Sequence, residues 1–153
     1  MSAVAPRASG AVAVAGAEDE VPRFAAAFTA GTLPKEQWTH RAHLLVALWH
    51  GATQPADEAL DAMRAGILRL NAVHGVVTTP SRGYHETITR AYMRLVMRFV
   101  RDEPPGSSWS SRAARLLARH GEREHLLRHY TRDRLFSSEA RFGWVEPDLL
   151  PLP

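Results

Sequence analysis

Cysteine is absent from this 153-residue chain, which excludes disulfides, thiolate zinc sites, iron–sulfur clusters and thiol nucleophiles together. Any metal it holds must therefore be taken by His, Asp, Glu or water. Long apolar runs are lacking as well: nothing approaches the roughly 18 consecutive apolar residues of a membrane-spanning helix. No strand-like pattern and no internal repeat occur, which leaves helices. Lysine is nearly missing, since of the 19 basic residues only Lys35 is not arginine. That skew reflects a GC-rich codon bias as much as physics.

What is present is ordinary for a globular domain. The chain is 45% hydrophobic and 23% charged, too apolar for wholesale disorder and long enough for one core without staples. A balance of 19 basic against 16 acidic residues permits an anionic partner without requiring one, and no recognition helix with its turn is visible, so nucleic acid is disfavoured. Residues 1–17 carry Ala, Val, Gly and Ser and read as a disordered N-terminal tail rather than a signal peptide, because Ala11–Ala17 has no Leu, Ile or Phe. Residues 18–153 read as a single helical domain of a cytoplasmic protein.

The chain is organised around Trp38–His50. On a helix, His40, His43, Ala47 and His50 share one stripe. Leu44, Leu45, Val46, Leu48 and Trp49 border it, so three imidazoles sit on an otherwise apolar helix. A first helix is expected over Glu18–Ala30, the central one from about Thr32–Pro34 to Gly51, a third from Gln54–Pro55 to His74, a fourth over Ser81–Arg101 and a fifth from Trp109, broken at Gly121 and resumed over Glu122–Tyr130. The expected fold is all-α: a single bundle of about five helices with an extended C-terminal tail wrapped over it, burying Phe136, Phe142, Trp144, Leu149 and Leu150.

Helix bundles build metal sites from side chains projected inward by facing helices. His40 and His43 with His85, at the start of the fourth helix, form the strongest such set, and Glu86 diverges from His85 by one residue, which suits a general base better than a further ligand. The expectation is a mononuclear metalloenzyme acting on a small organic molecule. Its divalent transition metal would be zinc, iron, manganese or copper, held by His40, His43 and His85. Glu86 and Tyr84 would be catalytic, and Arg64, Asn71 and Arg132 would hold substrate. The alternative is a non-catalytic helical protein that binds a ligand or partner and whose histidines are structural. A homodimer stays open. Glu122, His125 and His129 form a second spaced set, but Arg119, Arg123, Arg128 and Arg132 around it suggest a solvated basic surface. Arg132-Asp133-Arg134 reads as an ion-pair knot pinning the tail.

The segments Trp38-Thr39-His40-Arg41-Ala42-His43-Leu44, Gly83-Tyr84-His85-Glu86-Thr87-Ile88-Thr89 and Arg132-Asp133-Arg134-Leu135-Phe136-Ser137 resemble the WTHxAHL, GYHETIT and RDRLFS motifs of a family of small bacterial all-helical proteins. The resemblance covers most of Phe24–Pro153 and implies that these motifs belong together; it implies no reaction. The three-histidine arrangement is also similar, more distantly, to helical metalloproteins of the DinB-like type, whose connectivity differs.

Overall fold

A computed structural model describes the backbone of residues 9–153 and the side chains from Ala17 onward. The described residues form helices α1 (Ser9–Ala30), α2 (His40–Thr53), α3 (Ala56–Val73), α4 (Glu86–Asp102), α5 (Trp109–His120), α6 (Arg132–Leu135) and α7 (Ser138–Phe142), with 3₁₀ turns at Lys35–Gln37 and His125–Arg128. Among the described residues no strand occurs, and the fold is an all-α bundle of five long helices and two single-turn ones. Of the tail expected over Met1–Ala17, residues 1–8 lie outside the described residues, and α1 already begins at Ser9.

α2 is the axis of the bundle and packs against α1, α3, α4 and α5. It can do so because it is apolar all round: Leu44, Leu45, Val46 and Leu48 are each at most 1% exposed, the signature of a helix with neighbours on every side. Its start is later than the sequence suggests. Pro34 is extended and Lys35–Gln37 forms only a 3₁₀ turn. Thr39 then caps the helix, its Oγ1 accepting the Ala42 N–H at 3.2 Å. Met63, Ile67 and Leu70 of α3 and Met93, Val96 and Phe99 of α4 complete this first core.

A second, smaller core lies on the other face of α4. Ala91 and Leu95 pack there against Leu126, Tyr130, Leu135, Ala140, Val145 and Leu152. Thr87 ties it down: its hydroxyl donates to the Gly143 carbonyl at 2.7 Å and accepts the Val145 N–H at 3.1 Å. Tyr130 Oη donates to the Val145 carbonyl at 2.9 Å. Of the five residues expected to be buried here, Trp144 is half-buried against this core and the other four are not. Phe136, Phe142, Leu149 and Leu150 are 50–61% exposed, because the irregular backbone turns Leu135, Val145 and Leu152 inward in their place.

α4 also starts later than expected. Residues 79–82 form a closed turn, with Thr79 and Arg82 exchanging backbone hydrogen bonds, and Gly83 follows at φ +88°. A Cβ there would meet the Thr78 backbone at 2.7 Å, so only glycine fits. Arg141 holds this loop from α7, donating to the Pro80, Gly83 and Tyr84 carbonyls at 3.0–3.3 Å. The arginine knot is also revised: Arg132 pairs with Glu124 at 2.6 Å and Arg134 donates to the Glu146 carbonyl at 2.6 Å. Among the described residues Asp133 enters no ion pair, and Thr131 instead bonds the Asp148 carboxylate.

Candidate functional site

The first turn of α2 carries two of the three histidines singled out in the sequence. His43 reaches back one turn, its Nδ1 donating to the Thr39 carbonyl at 2.7 Å, which leaves Nε2 as the acceptor. Its ring stacks on Trp38 with centroids 3.6 Å apart, and Trp38 stacks in turn on Phe28 at 5.2 Å. Burial, against the opposing pull of the Thr39 carbonyl and with help from His40, pushes its pKa down to about 4. His43 is therefore neutral at pH 7.

His40 meets Tyr92 of α4 edge to face at 5.3 Å. Its Nε2 is buried and has no partner. Burial lowers its pKa, the carbonyls of His120 and Glu122 oppose that, and the nearby Arg123 charge adds to the depression. These contacts place the turn after α5 directly against the start of α2.

His85 is elsewhere, and its ring is spoken for. It is the N-cap of α4, with Nδ1 accepting the Ile88 N–H at 3.1 Å and Nε2 donating to the Leu135 carbonyl at 2.8 Å. That fixes the tautomer and leaves neither nitrogen for an ion. Glu86 is equally engaged: the Arg64 guanidinium clamps both its oxygens at 2.8–3.2 Å, and Tyr84 Oη donates to Oε1 at 3.0 Å. Burial pushes Tyr84 up to about 12. Arg64, Tyr84 and Glu86 thus do meet, as an ion-pair cluster. Asn71 is not part of it; its carbonyl takes the Val76 N–H at 2.8 Å where α3 closes.

A cavity of about 1100 Å³ opens between α2, α3, α4, the segment after α5 and α6. His40, His43 and Arg132 line it, whereas His85, Glu86, Tyr84, Arg64 and Asn71 do not. Its deeper wall is apolar, formed by Leu44, Ala47, Met63, Ile67 and Met93; its polar rim carries Arg41, Arg123, Glu124 and Arg132. Pockets that take drug-sized ligands have this makeup, a mostly apolar lining with a few placed polar groups. His50, fourth on the α2 stripe, faces a smaller cavity and bonds Gln54 at 2.8 Å.

The second histidine set does not form a helix face. Gly121 closes α5 and only a 3₁₀ turn follows. Instead His120 Nδ1 and His125 Nε2 lie 2.9 Å apart, in direct hydrogen bond, while Glu122 pairs with Arg128 and His129 bonds the Leu150 carbonyl. Among the described residues no three His, Asp or Glu side chains come together as a metal site. Tyr92 and Arg123 also line the cavity and were not assigned to the site from the sequence; Arg123 is exposed, as its basic surroundings suggest.

Burial holds His40, His43, His50, His85, His120 and His125 below their ordinary value, His43 and His120 at about 4. Between about pH 4 and 6.5 the unfolded chain thus binds more protons than the folded one. Stability rises with pH through that window, is fully present above it and is lost as pH falls through it. Urea-unfolding midpoints are expected to be level from pH 7 to 8 and to fall steadily between pH 6.5 and 4.5; a flat profile there would mean the imidazoles are solvated.

Comparison of the chain with protein-family models, with curated proteins and with solved structures finds no match.

Proposed function

We propose that this chain is a helical ligand-binding protein that takes a small, mostly apolar organic molecule into the cavity beside α2. The observation that carries the reading is the cavity itself, about 1100 Å³ lined by buried apolar side chains under a polar rim. The space is a cleft open to solvent on one side with an apolar floor, the kind of concavity in which small-molecule sites are built.

Ligand binding is favoured over a metal-dependent reaction by the fate of the third imidazole. A metal site on His40 and His43 needs His85, and both His85 nitrogens are committed to the Ile88 N–H and the Leu135 carbonyl. The proposed base, Glu86, is clamped by Arg64 and does not reach the cavity. No described helix is long and apolar enough to cross a membrane, which supports an encounter with ligand in water.

Decanol is the simplest probe, because Trp38 on the cavity wall reports its entry by fluorescence. Binding is expected to saturate, and Ala47→Phe, which fills the space, is expected to weaken it by roughly tenfold or more, about 1.4 kcal/mol. Elemental analysis of protein purified without a histidine tag is expected to find well below one transition metal per chain. No saturable decanol binding, or full metal occupancy, would reject the reading.

A further inference from the structure

Three polar residues on the cavity wall bear on what it would hold. His40 Nε2 and Tyr92 Oη are both buried without any hydrogen bond, an arrangement that costs free energy unless something fills it. The third is Arg123. Of the rim guanidinium groups, Arg41 is held by both Glu20 oxygens at 2.5 and 3.2 Å and Arg132 by Glu124 at 2.6 Å. Among the described residues Arg123 forms no ion pair. All three line the same cavity, and the His40 and Tyr92 rings are 5.3 Å apart.

We propose, building on the ligand site argued above, that the ligand is an apolar organic acid whose carboxylate is held by Arg123, Tyr92 and His40. The carboxylate accepts from the guanidinium, from Tyr92 Oη and from His40 Nε2 as the protonated tautomer, and its apolar body runs along Leu44, Ala47, Met63 and Ile67. His40 and Tyr92 gain the partner they lack, and the exposed Arg123 supplies the charge. The charge count selects a monoanion. One guanidinium is unpaired and the neighbouring imidazoles are neutral at pH 7, so a phosphate dianion would remain half-compensated and an amine would be repelled. Tyr92 suits the role because burial pushes it up to about 12, which keeps its proton available for donation.

The test is calorimetric titration of the full chain with decanoate, decanol and decylamine, which share one apolar body and differ in the head. Decanoate is expected to bind about tenfold more tightly than decanol, and decylamine more weakly than either. Tyr92→Phe and Arg123→Gln are each expected to cut decanoate affinity about three- to tenfold and leave decanol unchanged, while Arg123→Lys keeps most of the preference. Tyr92→Phe is also expected to leave the unfolding midpoint of the free protein where it is, since its hydroxyl bonds nothing there; a merely structural tyrosine would not separate the two readouts.

Equal affinity for decanoate and decanol would overturn the carboxylate assignment and leave the cavity reading intact. So would a preference that survives both Tyr92→Phe and Arg123→Gln. Failure of all three probes to bind would reject the assignment together with the reading beneath it.

Discussion

Gly66→Ala is expected to destabilise the fold by about 2 kcal/mol, even though alanine is the better helix former by about 1 kcal/mol. Gly66 is buried within α3, and a Cβ built on it falls 2.1 Å from two ring atoms of Phe28 and 2.9 Å from a third. Phe28 is 1% exposed, so its ring has no free space to enter and must carry its neighbours with it. Overpacking of this kind costs about 1–3 kcal/mol and occasionally more, which outweighs the gain in propensity. The strain does not stop at Phe28, because Phe28 stacks on Trp38 and Trp38 on His43. A change at the α1–α3 contact therefore reaches the cavity wall. The check is urea unfolding of Gly66→Ala, Phe28→Leu and the pair. The smaller leucine relieves the clash, so the pair should lose less than the sum of the singles; strict additivity, or a stabilised Gly66→Ala, would show that the ring is not confined.

His85→Ala carries the second large effect, about 3 kcal/mol. Removing the ring takes away the cap on the Ile88 N–H, worth about 1 kcal/mol, and leaves the Leu135 carbonyl without its donor in a buried setting, about 1–3 kcal/mol more. His85→Asn separates the two parts. Asparagine caps helices well but is too short to reach the residue fifty positions away, so it should recover the cap and not the bridge. Thermal unfolding of the three proteins is expected to rank wild type above Asn above Ala. If His85→Ala unfolded like wild type yet altered the metal content, the imidazole would be a ligand and the capping account would fail.

That same residue shows why the candidate site was only half legible in the sequence. A histidine reads identically whether its nitrogens face an ion or an N–H and a carbonyl. The Ile88 contact is local and follows from the loop that Gly83 forces, but Leu135 arrives from a distant segment that no periodicity announces. The central helix was readable for the opposite reason. Its apolar residues surround the axis, which has one structural solution, and His40 and His43 came with it. Arg132 was placed at the cavity by its motif, whereas Arg123 sat among arginines that resemble any solvated face, and only the stop at Gly121 turns it toward α2. In the last thirty residues the bonding is by single side chains such as Thr87 and Arg134, and hydrophobicity alone chose the wrong aromatics for burial.

α4 is a party wall between two separately packed apolar clusters, and the large void lies along the line where they face each other. Such a seam gives a guest a doorway that does not require the main core to loosen. A guest seated there touches both clusters at once and so favours the folded chain by mass action. Each occupant then acts as mortar between the two halves.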